Sequence, residues 1–128
     1  MRSRTPYPLV YGYVHNVREQ PERFAEAKEQ IELWCVSEGW HLGAVYSDVG
    51  SLLDVEDRIG FCGLVQALAM PDAAAAVLLN RDHLSYRPDV VAALVNQIRR
   101  TGAAVWLRDG ELPEIAKKLR RGQAQWSR

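Results

Sequence analysis

Cysteine is scarce in this chain. Cys35 and Cys62 are the only two in 128 residues, and they form neither a disulfide framework nor a metal-ligand pair. Both fall in apolar stretches with helical spacing, which predicts buried free thiols and a reducing cytoplasmic setting. An excess of either charge is also missing. Lys+Arg and Asp+Glu number 16 each, which argues against a chain built mainly to coat nucleic acid or an anionic membrane. No long apolar run follows the basic start Met1-Arg2-Ser3-Arg4, so neither a signal peptide nor a membrane-spanning helix is expected. There is no internal repeat and no low-complexity linker. Ala73 to Ala76 continue directly into Val77-Leu78-Leu79 and read as structured. A Gly-x-x-x-x-Gly-Lys phosphate loop is absent, so Asp48-Val49-Gly50-Ser51 reads as a turn. No cofactor and no metal are expected.

What is present suits one domain, residues 1–128, with a core over about 9–110 and a short basic helix and tail over 111–128. At this length a hydrophobic core suffices without metal or disulfide. Residues 9–14, rich in Tyr, Val and Leu after Pro6 and Pro8, predict a strand. Residues 22–39 predict a helix, with Phe24, Ala27, Ile31, Trp34 and Cys35 on one face, Pro21 in its first turn and Gly39 just past its end. A second strand follows over 41–46 and a loop over 48–57. Asp57 is the expected cap of a helix running to about Met70. After the Pro71-Asp72 turn, the apolar run 73–79 predicts a strand covered on both faces. A polar loop over 80–87 leads to a helix opened by Pro88 and Asp89, with Val90, Val91, Leu94, Val95 and Ile98 on its apolar side and Gly102 ending it. Residues 103–107 predict a fourth strand, and 112–121 a last basic helix.

This alternation predicts an α/β three-layer sandwich, a mostly parallel sheet of four to five strands with helices on both faces. The direction of the fourth strand is left open. In such sheets chemistry gathers at the carboxyl ends of the strands. Those ends are residues 14–17, 47–53, 80–87 and 108–111.

Together these ends resemble the catalytic domain of serine recombinases of the resolvase/invertase type. The family's Tyr-x-Arg-Val-Ser-Thr corresponds to Tyr11-Gly12-Tyr13-Val14-His15-Asn16. Its Asp-x-Gly-x-Ser-Gly, followed by a helix-opening Arg, corresponds to Asp48-Val49-Gly50-Ser51-Leu52-Leu53 and Arg58-Ile59-Gly60-Phe61. Its Asp-Arg-Leu-(Ser/Gly)-Arg corresponds to Asp82-His83-Leu84-Ser85-Tyr86, and Gly102 through Asp109-Gly110 matches its fourth strand. The resemblance spans residues 10–110 and implies a resolvase-like fold.

It also implies a chemistry that these residues do not supply. In the family a serine attacks a DNA phosphate, and several arginines neutralise the charge spread over the phosphoryl oxygens. Here His15 stands at the serine position and Tyr13 at the arginine two residues before it. His83 and Tyr86 stand at the two arginines after the third strand. Asp82, Leu84, Ser85 and Arg58 keep family identities. Tyr13, His15, Arg58, Asp82, His83 and Tyr86 thus form a degenerate site with no expected catalytic residue. The family's long dimer helix and helix-turn-helix domain have no counterpart in residues 112–128, so no separate DNA-binding domain is expected.

The changed residues admit other uses. His15, Asp48, Asp82, His83 and Ser85 make a candidate ligand pocket. His15, His83 and Asp82 contain metal-ligand types, and His15 is a nucleophile type. The alternative is an emptied arginine site refilled by mutually hydrogen-bonded Tyr and His. Ser85 beside His83 and Asp82 has the residue types of a hydrolase triad, but adjacent loop residues rarely take that geometry, and a cap hydroxyl is the plainer reading. Lys117, Lys118, Arg120 and Arg121 are candidate nucleic-acid contacts. They also suit a solvated amphipathic helix packed through Ile115, Leu119 and Trp126, or a protein interface. The expected function is a catalytically inactive, regulatory binding domain in a high-GC bacterium, working as a homodimer or with a protein partner. The alternatives are a DNA-binding accessory protein and an enzyme or ligand-binding protein using the His/Tyr pocket.

Overall fold

The computed structural model describes residues 7–51 and 54–117. Its element order is β1 (Leu9–Asn16), α1 (Pro21–Glu38), β2 (His41–Val49), a 3-10 turn (Val55–Asp57), α2 (Ile59–Leu68), β3 (Ala73–Leu78), a second 3-10 turn (Arg81–His83), α3 (Pro88–Arg100) and β4 (Ala104–Leu107). The strands form one four-stranded sheet in the order β2-β1-β3-β4. All three pairings are parallel, which settles the direction of the fourth strand.

The core has two halves, one on each face of the sheet. On one face Ala27, Ile31 and Cys35 of α1 pack on Val10, Val14, Ala75, Val77 and Leu79. On the other, α2 and α3 pack on Tyr13, Ala76 and Leu78. β3 is therefore buried on both sides, as its unbroken apolar run requires. Period-two alternation along β1 sends Val10 and Val14 toward α1 and Tyr13 toward α2. The five apolar positions expected on α3 are all buried. Trp34, Trp40 and Trp106 pack in succession on the α1 side, the first pair edge-to-face and the second tilted, with ring centroids 5.1 and 4.8 Å apart.

Helix α1 ends on Gly39 at φ 80°, where the amides of Gly39 and Trp40 return to the carbonyls of Val36 and Cys35. Several local expectations are corrected. β2 continues to Val49, because its parallel register with β1 runs on to Asn16, and Asp48 therefore lies in the strand. Asp57 does not cap α2; it ends the first 3-10 turn, and α2 opens after Arg58 with no local side-chain cap. Cys62 is only partly buried, unlike Cys35. Of the expected last helix, residues 114–117 are helical, and Lys118, Leu119, Arg120, Arg121 and Trp126 lie outside the described residues.

The chain moves outward from β1 to β2, then crosses back to β3 on the other side. This places the reversal of winding between β1 and β3. No helix among the described residues is long and apolar enough to cross a membrane.

Candidate functional site at the carboxyl ends of the strands

Three strand ends converge on a linked set of polar groups. β1 supplies Tyr13 and His15, two residues apart and so on one face, and the β1–β2 register sets His15 opposite Asp48. Tyr13 is fully buried, with its ring edge-on to Phe61 at 5.5 Å. Its hydroxyl donates to Asp48 Oδ2 at 2.6 Å and accepts from Arg58 Nη1 at 3.4 Å. The Arg58 side chain, 1% exposed, is the largest fully buried one.

Asp48 has a second task. Its Oδ1 accepts the Gly60 amide at 2.7 Å and its Oδ2 the Phe61 amide at 2.8 Å. The first turn of α2 is thus capped by a carboxylate from β2, where unpaired amides and the helix dipole favour negative charge. Gly60 makes this approach feasible, since a β-carbon there would collide with the Ser47 carbonyl. Asp48, Tyr13 and Arg58 form a linked set in which a buried cation faces one carboxylate across a phenol. Burial first, then the hydrogen bond and charge of Asp48, hold the Tyr13 phenol well above its ordinary range, and Arg58 offsets this in part.

The histidines sit beside this set. His15 Nε2 donates to the Gly50 carbonyl at 2.6 Å, which places the ring proton on Nε2. The His15 backbone amide donates to His83 Nδ1 at 3.1 Å, so His83 is also protonated on Nε2. Both rings are pushed below the ordinary histidine range. Burial is the main cause for each; the charge of Arg58 adds to it at His15, and the neighbouring His15 adds to it at His83. Burial thus favours the neutral imidazole at both positions.

The structure brings Tyr13, His15, Asp48, Arg58 and His83 together. Of the other expected residues, Asp82 acts on His83 only through its charge. Tyr86 is 72% exposed. Asp82 is exposed on the second 3-10 turn, with its amide on Asn80 Oδ1 at 2.9 Å. Ser85 is buried, and its Oγ accepts the Arg87 amide at 3.1 Å, the geometry of a turn-capping hydroxyl. Among the described residues no group of three or more His, Cys, Asp or Glu side chains is placed to hold a metal. Lys117 is committed to Glu111 at 2.6 Å and Glu114 at 3.6 Å, and the Glu111 contact raises its pKa.

Two features escaped the sequence. One is the capping of α2 by Asp48, a contact between separate elements with no local motif. The other is a polar crevice of about 270 Å³ at the reversal point between β1 and β3, lined in part by Asn16, Arg23, Gln30 and His83. Asn16 at the end of the first strand and Arg23 in the helix after it were a signal for it only once strand order was known.

No protein-family model matches this sequence, and no characterised protein matches it by sequence. Solved structures do match its fold. The C-terminal catalytic domain of ISC1926 TnpA, an IS607-like serine recombinase, superposes with a TM-score of 0.70 at 15% identity, over 90% of this chain and 78% of that one. The N-terminal catalytic domain of TP901-1 integrase gives 0.64 at 16% identity, over 78% and 76%. The first open reading frame of transposon ISC1904 from Sulfolobus solfataricus P2 gives 0.60 at 18% identity, over 92% and 82%. Strand order, helix placement and these superpositions agree that this chain has the fold of a serine-recombinase catalytic domain.

Proposed function

We propose that this chain is a catalytically inactive domain of serine-recombinase fold that acts by binding, as a homodimer or as an adaptor for a protein partner. The observation that carries this reading is the linked, buried Tyr13–Asp48–Arg58 set. Phosphoryl transfer from DNA needs an accessible nucleophile and several fixed cations aimed at the phosphate oxygens. At the position where the resemblance puts the nucleophile stands His15, only 8% exposed and with Nε2 tied to Gly50. The one arginine kept there, Arg58, is buried and faces the carboxylate of Asp48 through Tyr13. Among the described residues this linked set offers a phosphate no group of several exposed cations. A fold kept without this chemistry is useful through its surface.

Two measurements test the reading. The chain is incubated with supercoiled plasmid DNA and quenched with detergent, and protein-linked DNA is recovered by phenol partition. No covalent adduct is expected, and recovery of one overturns the inactive reading. Light scattering over a concentration series is expected to show a rising mass. A strict monomer that also captures no protein partner overturns the binding role.

A further inference from the structure

Charge and apolar surface are unevenly distributed around the carboxyl end of the sheet. Val17, Val49 and Ile59 are 43%, 49% and 81% exposed. Two contacts set them around the end of β2: the Gly50 amide on the Asn16 carbonyl at 2.9 Å brings Val17 beside it, and the Gly60 amide on the Asp48 carboxylate at 2.7 Å brings the start of α2 and Ile59 to it, with Val49 on the opposite face of the strand from Asp48. The loop entering α2 adds Asp54, Glu56 and Asp57, all exposed. None of these three carboxylates has an ion pair among the described residues. The cation adjoining this rim in sequence is Arg18, exposed beside Val17 and followed by Glu19, so the three carboxylates outweigh it. This rim is anionic and apolar at once, a surface that repels phosphate and suits a cationic polypeptide with an apolar side.

The same sequence holds such a polypeptide. Residues 111–128 carry five cations, Lys117, Lys118, Arg120, Arg121 and Arg128, against Glu111 and Glu114, interleaved with Ile115, Leu119 and Trp126. The whole chain is neutral, so the rest carries the matching negative excess.

We propose that the rim of Val17, Val49, Ile59, Asp54, Glu56 and Asp57 binds the cationic C-terminal segment of a second copy of this chain. Reciprocal exchange of that segment closes a two-fold dimer. The inference rests on the binding role proposed above and names its surface.

A charge exchange tests it. The full chain is compared in sedimentation velocity with two triple variants: the rim reversal Asp54→Lys, Glu56→Lys, Asp57→Lys and the tail reversal Lys118→Glu, Arg120→Glu, Arg121→Glu. Circular dichroism checks that each variant is folded, and the milder rim variant Asp54→Asn, Glu56→Gln, Asp57→Asn is run beside them. The wild type is expected to dimerise, with a dissociation constant roughly tenfold weaker or more at high salt. Each reversal alone is expected to be monomeric, the neutral variant to be intermediate, and an equimolar mixture of the two reversals to dimerise again. A monomeric wild type, a reversal that dimerises as well as wild type, or a mixture that stays monomeric overturns the interface. Dimerisation untouched by both reversals does so while leaving the binding role intact. A covalent DNA adduct instead overturns the inactive reading without bearing on this interface.

Discussion

The Tyr13 hydroxyl donates a 2.6 Å hydrogen bond to Asp48 Oδ2, and through it the buried end of β1 is joined to the cap of α2. Tyr13→Phe keeps the ring against Phe61 and removes only this link, leaving Asp48 and Arg58 one partner short. The expected loss is about 1–3 kcal/mol, the cost of an unmatched buried polar group. Asp48→Ala is expected to cost more, because it also frees the amides of Gly60 and Phe61 and removes the carboxylate facing Arg58. Urea denaturation of both variants checks the order. A Tyr13→Phe protein as stable as wild type would show that the phenol only fills space.

Gly60 offers a test of the same joint that involves no charge. A methyl group there meets the Ser47 carbonyl, a backbone atom that moves only if β2 and α2 separate. Gly60→Ala is therefore expected to destabilise by about 1–3 kcal/mol or more despite the better helix propensity of alanine. Gly63→Ala, in the same helix, meets only the Tyr46 ring at 3.1 Å, which can give way. It is expected to be the milder change, and thermal melting of the pair gives the comparison.

Much of this architecture could be read from residue patterns. The α3 face Val90, Val91, Leu94, Val95 and Ile98 follows helical spacing, and β3 shows its two-sided burial as an unbroken apolar run. The convergence of Tyr13, His15, Arg58 and His83 was legible through the family resemblance, which located strand ends that spacing alone leaves far apart. Asp82, Ser85 and Tyr86 take local environments that the resemblance does not specify. They share a short segment with His83, but across the 3-10 turn over Arg81–His83 and the bend after it Asp82 and Tyr86 are exposed while Ser85 is buried and bonded to the Arg87 amide. Residue identity does not encode those environments. The Asp48 cap was hidden for a related reason, since the expected cap, Asp57, lies nearer to α2 in sequence than the carboxylate that does the work.

The nucleic-acid alternative makes a separate prediction. At the carboxyl end, Arg87 and Arg108 are paired with carboxylates, and Arg18, Arg23 and Arg81 are outnumbered by Glu19, Asp54, Glu56, Asp57 and Asp82, so the charge balance there is unfavourable to phosphate. Fluorescence anisotropy of a labelled mixed-sequence duplex is expected to show no complex at about 50 mM or about 200 mM salt. An electrostatic complex would lose orders of magnitude in affinity across that range. Binding with such a slope would move the DNA-accessory role to the front and direct attention to Lys118, Arg120 and Arg121.

The two histidines make folding stability depend on pH in a defined direction. His83 Nδ1 accepts the His15 amide and His15 Nε2 donates to Gly50, and burial lowers both pKa values below those of the unfolded chain. Below the ordinary histidine pKa of about 6.5 the unfolded chain takes up protons that the folded chain resists, so stability rises with pH in that range. The contribution is fully present above that value and is lost as pH falls toward the lowered folded-state pKa values. Urea midpoints are expected to fall between about pH 7 and pH 5. His83→Asn separates the charge from the contact, because its amide oxygen can accept the His15 amide but does not titrate. It is expected to keep most of the stability at neutral pH and to flatten the dependence in acid. A variant with the wild-type slope would assign the acid sensitivity to His15 alone.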